Sequence, residues 1–299
     1  MATILVTGAS GLIGKQLCIL LKQKGHLVKV LSRNKANTNN SYYWDIDANF
    51  IDEEALLNTE FIIHLAGENI GGKQWTKSQK QHIIDSRVKS ANLLYNTVKR
   101  LNINLKGFIA ASGVGYYGAE TTKKTYTEKD VSGSDFLSTV CLQWENVSKQ
   151  FKQLGIRTVI LRTGVVFSKK GGALEKIIKP IKLGFGAVLG NGNQFMPWIH
   201  INDLCKMYAQ AVENENLNGI YNAVSPEFIT NKQVTELLAK DLGKKIWLPN
   251  IPAFILKFAL GKMSNLILEG SRISAEKIIK TGFKFKYANL KEALNNLLN

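Results

Sequence analysis

Short apolar runs of strand length punctuate the chain at Ile4–Thr7, Leu27–Ser32, Phe61–Leu65, Phe108–Ala111 and Thr158–Arg162. Between them lie stretches whose apolar residues recur at helical spacing: Lys15–Lys24, Gln79–Leu101 and Thr139–Leu154. Strands that are apolar throughout must be covered on both faces, and the alternating helices supply that cover. With right-handed crossovers, the pattern predicts an α/β fold, a Rossmann doubly wound parallel sheet.

After Arg162 the pattern changes. Gly171, Gly172, Gly184, Gly186, Gly190 and Gly192 break the chain into loops and short pieces. A further strand is predicted over Gly219–Ser225, and a helix starting near Thr230, where Thr or Asn can cap it. The tail carries "IPAFILKFALG" and ends in a helix over "NLKEALNNLLN". The expected organisation is a nucleotide-binding domain over 1–240, with lobe insertions around 168–195, and a smaller C-terminal substrate lobe over 245–299.

Composition changes this picture little. Of 299 residues, 45% are hydrophobic, an ordinary globular value. The net charge of +16 raises nucleic acid or a membrane as partner. The longest basic runs, however, are pairs such as Lys123-Lys124, and no basic tract is interleaved with aromatics. A lysine-rich solvated surface explains the charge, and its field also draws in a polyanionic cofactor. The most apolar late stretch is interrupted by Pro249, Pro252 and Lys257, so it does not span a bilayer. Three widely spaced cysteines, Cys18, Cys141 and Cys205, fit a reducing compartment. The expectation is a cytoplasmic protein with no signal peptide, binding neither nucleic acid nor membrane. The four histidines are isolated in sequence, and no metal site is expected.

The informative stretch is "TGASGLIG". Gly8, Gly11 and Gly14 sit where a predicted strand hands over to a predicted helix. Gly8 permits the tight turn, Gly11 lets backbone approach a pyrophosphate, and Gly14 lets the helix pack on the strand. The helix start, through Leu12 and Ile13, then offers free N–H groups to phosphate. This context predicts dinucleotide binding. The second strand ends in Ser32 and Arg33, nineteen residues beyond Gly14, with Lys35 following. An NAD site would carry a carboxylate there for the ribose 2′-hydroxyl. A guanidinium instead pairs with a 2′-phosphate, so the cofactor predicted is NADP.

On these motifs the chain resembles the extended short-chain dehydrogenase/reductases, the nucleotide-sugar epimerases and dehydratases. More closely it resembles the atypical branch of epimerase-family proteins that carry their own C-terminal domain of unknown function. The ordered signatures are "TGASGLIG", "HLAGENIGGKQW", "SRVKSANLL", "SGVGYYG", "LRTGVVF", "GNGNQFMPWIHINDL", "YNAVSPEFITN" and "GFKFKYANLKEAL", which together cover essentially the whole chain. The resemblance implies that Leu65, Ala66 and Gly67 run along the cofactor ribose. It implies that Arg87 faces the cofactor site, against the alternative of a surface arginine. It also implies that Val165, beside Gly164, contacts the nicotinamide end.

The departure from that family lies in the catalytic pair. Typical members use Tyr-x-x-x-Lys, the lysine lowering the phenol's pKa for proton transfer. In the matching helix, "STVCLQWENVSK", Cys141 and Glu145 occupy those positions. A glutamate raises a neighbouring acid's pKa, so the usual relay is absent. Ser112 remains to polarise a substrate carbonyl, and Tyr116 and Tyr117 are the nearest phenols, with aromatic packing as their alternative role. Glu145 and Trp144 are expected to fix the helix against the cofactor loop.

The expected function is an NADP(H)-binding oxidoreductase or epimerase acting on a small polar substrate, a nucleotide sugar among the options. The alternative is a non-catalytic NADPH-binding sensor or partner-binding protein. Extended relatives often dimerise through two long helices, here Gln79–Leu101 and Thr139–Leu154, so a homodimer is a further expectation.

Overall fold

The computed structural model describes residues 1–34 and 40–298. Eight strands form one sheet: β1 (Thr3–Thr7), β2 (Leu27–Ser32), β3 (Ser41–Asp45), β4 (Phe50–Ile51), β5 (Phe61–His64), β6 (Gly107–Gly113), β7 (Thr158–Thr163) and β8 (Gly219–Ala223). Their order in space is β8-β7-β6-β5-β1-β2-β3-β4. Every pairing is parallel except β3 with β4. The chain leaves β1 in one direction for β2 and β3 and in the other for β5 and β6. The crevice over the carboxyl ends of β1 and β5 is therefore the switch point at which such sheets bind ligands. The Rossmann sheet expected from the alternation of runs is present.

Among the described residues, eight helices are at least eight residues long: α1 (Leu12–Gln23), α2 (Lys77–Arg100), α3 (Phe136–Lys149), α4 (Ala173–Lys182), α5 (Ile201–Glu213), α6 (Asn231–Asp241), α7 (Ala253–Leu260) and α8 (Leu290–Leu298). Side-chain alternation along the strands fills two cores. Ile4, Val6 and Ile63 join α1 and α5 on one face, while Leu5, Ile62 and Phe108 join α2 on the other. Thr230 does cap α6: its hydroxyl accepts from the Gln233 amide, and Gln233 returns the bond. Strand β3 and helix α5 were not anticipated. "SYYWD" is short and carries polar residues at both ends, whereas "INDLCKMYAQAVE" has Ile201, Leu204, Cys205, Tyr208 and Val212 at helical spacing, a signal the sequence did offer.

A third core makes the second lobe. Leu174 of α4, Trp198, Val234 and Leu238 of α6, and Leu290 and Leu294 of α8 pack together. Three separated chain segments thus share one interior, and α6, which the division at 240 assigns to the sheet domain, packs with the lobe. Two short parallel pairs stitch the segments: 165–167 with 198–200, and 125–126 with 272–273. Asp203 on α5 accepts from the amides of Lys286 and Tyr287 at 3.0 and 2.8 Å, pinning the tail to the sheet domain. Among the described residues, no helix is long and apolar enough to cross a membrane.

Candidate cofactor and substrate clefts

The loop between β1 and α1 is built of bare main chain. Gly8 has φ +70°, and a Cβ there would lie 2.8 Å from the Leu65 carbonyl carbon and 2.9 Å from the Ala66 nitrogen. A Cβ on Gly14 would lie 2.3 Å from the Gly8 oxygen. Gly8 therefore seats β1 on the turn after β5, and Gly14 seats α1 on the loop. Gly11 caps α1 with extended backbone and no side-chain cap, so the first N–H groups of the helix, from Leu12 and Ile13, have no intrahelical acceptor. That arrangement suits an anion.

Beneath the loop the turn Leu65–Gly67 is fixed by a buried polar chain. The Thr7 hydroxyl accepts from the amides of Leu65 and Ala66 at 3.2 and 3.1 Å. Its own hydrogen is then left for His64 Nδ1, 2.8 Å away. His64 Nε2 faces the Ser90 hydroxyl at 3.2 Å, which itself donates to the Ser86 carbonyl. The ring is thus the neutral tautomer protonated on Nε2. Burial pulls its pKa down to about 3.

Arg87 is buried under the same turn, so it is not the surface arginine of the alternative. Its guanidinium donates to the carbonyls of Ile83 and Glu68, each at 3.0 Å, and lies 5.0 Å from the Trp144 ring centroid. A Cβ on Gly67 would come within 2.9 Å of its Cζ, which explains the glycine. Burial lowers the Arg87 pKa to about 10. Trp144 thereby ties α3 to the cofactor loop, as expected. Glu145 turns elsewhere.

Above this floor lies a cleft of about 530 Å³. Gly8, Gly11, Leu65, Ala66 and Gly67 line it, with Ser32 and Arg33 at the end of β2. Arg33 is exposed and also borders the adjoining depression near Asp45 and Lys89. The Ser32 hydroxyl accepts from the Asn34 amide at 3.1 Å. Lys35 lies outside the described residues.

The other candidate residues meet at the ends of β6 and β7. Ser112 donates to Glu145 Oε1 at 2.9 Å. Arg162 grips both oxygens of Glu145, through Nε at 2.7 Å and Nη2 at 2.9 Å. Its Nη1 donates to the Tyr117 hydroxyl at 3.0 Å, and that hydroxyl donates to Asn222 Oδ1 at 2.6 Å. The Tyr116 ring lies under the guanidinium, 3.3 Å from centroid to Cζ. All six of these side chains are buried. Burial pushes the Tyr117 phenol up to about 12, the reverse of what a proton relay needs. Cys141 is likewise a buried thiol, raised to about 11 mainly by desolvation. Arg162 was not singled out from the sequence. Its signal was available: a charged residue closing an otherwise apolar strand, "TVILRT", requires a buried partner.

Val165 joins a second cavity, about 380 Å³, which Tyr117 also borders. It lies between the carboxyl ends of β6 and β7 and the second lobe. The Val165 amide donates to the Pro197 carbonyl at 2.7 Å, holding the strand end against the lobe.

A doubly wound sheet with a glycine-rich β1–α1 loop and a lobe over its carboxyl edge defines a nucleotide-binding α/β protein. The family model for the NAD dependent epimerase/dehydratase family matches residues 4–223, and a domain of unknown function, DUF1731, matches residues 251–297. The chain belongs to the NAD dependent epimerase/dehydratase family. Epimerase family protein YfhF of Bacillus subtilis is 37% identical over 299 residues, spanning 99% of this chain and 97% of that protein. The human epimerase family protein SDR39U1 (isoform 2), solved with NADPH, superposes with a TM-score of 0.88 at 27% identity, covering 99% of this chain and 98% of that one. A nucleoside-diphosphate sugar epimerase from Corynebacterium glutamicum gives 0.82 at 28% identity, covering 99% of this chain and 58% of that one.

Proposed function

We propose that the chain binds NADP(H) in the glycine-lined cleft and transfers hydride between it and a small carbonyl or alcohol compound held under the second lobe. The observation that carries the cofactor assignment is the pairing of a bare main-chain cradle with Arg33, in place of a carboxylate, where β2 ends. The family membership and the NADPH-bound human relative support it. When bound, the nicotinamide supplies the hydride.

The residues of the chain supply orientation and polarity. In this scheme Ser112 acts from beneath the site: it is buried, lines neither cleft and donates to Glu145, which Arg162 holds at both oxygens, so the group fixes the ends of β6 and β7 under the substrate. Tyr117 is committed to Asn222 and Arg162, so water is the proton donor in this scheme. The same commitment favours a second reading, an NADPH-binding sensor without turnover. Loss of nicotinamide absorbance in single-turnover mixing with a panel of carbonyl compounds separates the two.

The cofactor assignment is tested by Arg33→Asp. A charge-assisted bond to a 2′-phosphate contributes about 1.5–3 kcal/mol, so NADPH binding should weaken by roughly 10- to 100-fold. NADH affinity should barely move. Equal losses for both cofactors, measured by nicotinamide fluorescence titration, would sink it.

A further inference from the structure

The cavity over β6 and β7 has walls of a definite chemistry. Val114 and Val165 come from the strand ends, Ile177 from α4, Met196 from the loop before residue 198, and Leu266 and Ile267 from the short helix over 265–268. The polar side chains among them are mostly already engaged by protein. Gln194 Nε2 donates to the carbonyls of Leu189 and Ile267 at 3.0 and 2.8 Å. Asn231 Oδ1 accepts from the Leu189 amide at 3.0 Å. The Tyr117 hydroxyl serves Asn222, Ser271 donates to the Glu120 carbonyl, and Glu269 accepts from Thr121 at 2.7 Å. Among the described residues lining the cavity, Lys176 is the one cation. Its ammonium donates to the Gly71 carbonyl at 3.2 Å, and Glu269 balances its charge in the lining.

We propose that this cavity takes an uncharged, largely apolar carbonyl or alcohol compound and not a nucleoside diphosphate sugar. The proposal rests on the function above, because the cavity serves as a substrate site only if hydride chemistry occurs at the strand ends it shares. A diphosphate needs fixed cations or free N–H groups, since an unpaired anion transferred to an apolar site pays a desolvation penalty it cannot recover. These walls offer apolar side chains and polar groups mostly turned to protein. A bicyclic ketone offers apolar surface on every side and a single carbonyl oxygen, which matches walls of this kind.

The test is calorimetry of 2-decalone and of UDP-glucose, each titrated into the full chain with and without NADPH. The expected result is 2-decalone binding at least about tenfold tighter than UDP-glucose, a difference that apolar burial readily supplies. Ile177→Arg should weaken 2-decalone by about tenfold or more and leave NADPH affinity unchanged, because a charge placed in the wall must be desolvated. Leu266 is 38% exposed and tolerates a polar side chain, so Leu266→Asp provides the same comparison should the first variant fail to fold. Tighter binding of UDP-glucose, or no heat from 2-decalone on either form, overturns the proposal. Absence of heat from NADPH overturns the cofactor assignment instead, and 2-decalone on the cofactor-free chain still decides the cavity.

Discussion

At the phosphate end of the cleft, main chain touches main chain. Gly8 meets the Leu65–Ala66 peptide, and Gly14 meets the carbonyl of Gly8. At the substrate end, buried charge touches buried charge, with Glu145 held by Arg162 and Arg162 stacked on Tyr116. The first region excludes side chains so that a ligand can lie against bare amides. The second fills the position of a catalytic pair with a salt bridge that orders the strand ends and engages the available phenol. Under the proposed function, the binding half rests on bare main chain, while the residues where the usual catalytic pair is expected hold the strand ends together.

The largest effect that separates the two regions is expected at Glu145. Removing one partner of a buried pair strands the other charge, at a cost of about 3–5 kcal/mol. Glu145→Gln should lose that much in urea unfolding. The double variant Glu145→Leu with Arg162→Met should recover most of it, because hydrophobic residues of similar volume replace buried pairs at little cost. A loss below about 1 kcal/mol for the single variant would show the pair to be dispensable, and the contrast between the regions would collapse.

At the phosphate end the corresponding change is Gly14→Ala. The added methyl would sit 2.3 Å from the Gly8 oxygen and 2.6 Å from the Ala9 Cα, and neither backbone atom can yield alone. Forced overpacking of this kind costs about 3 kcal/mol and should shift the loop proposed to receive the phosphates. Gly25→Ala is the control. Gly25 has φ +81° with nothing within 4 Å of the added carbon, so only left-handed strain, about 1 kcal/mol, applies. Gly14 lies in α1 without a positive φ, so a loss no larger than that of Gly25→Ala would mean that the loop gives way to the methyl and that close approach does not explain Gly14.

The two regions also differed in how far the sequence revealed them. Gly8, Gly11 and Gly14 were legible because their spacing follows from one turn and one helix, although the Leu65–Ala66 peptide that Gly8 meets lies far along the chain. Thr230 was legible for the same reason. The Ser112–Glu145–Arg162–Tyr117 cluster was not, since it joins residues from three distant segments, and pairing across segments leaves no periodic trace. The sequence did disclose the absence of Tyr-x-x-x-Lys, without disclosing what Glu145 does instead. Apolar content misleads in one further place. The run over α7 is among the most apolar in the chain, yet none of its residues is buried and Phe258 is 93% exposed. Hydropathy gives the preference of a segment and says nothing of whether the fold has room for it.

The finest distinction between the regions concerns pH, through His64 beneath the Leu65–Gly67 turn. In the unfolded chain this ring takes a proton below about pH 6.5. In the folded chain it stays neutral down to about 3, because it is fully enclosed and its Nδ1 accepts from Thr7. The folded pKa is depressed, so the stabilisation is fully present above pH 6.5 and is lost progressively as pH falls toward the folded value. Each proton taken up only by the unfolded state contributes a slope of about 1.4 kcal/mol per pH unit. Urea unfolding between pH 7 and pH 4.5 should show this slope, and His64→Gln, which preserves an acceptor and a donor without a titrating ring, should remove about one proton's worth of it. The same variant should soften the Thr7–Ala66 connection and weaken NADPH more than it affects the Glu145–Arg162 end. An unchanged slope in His64→Gln would mean that the ring titrates alike in both states, and that the polar chain under the loop is more open to water than its burial implies.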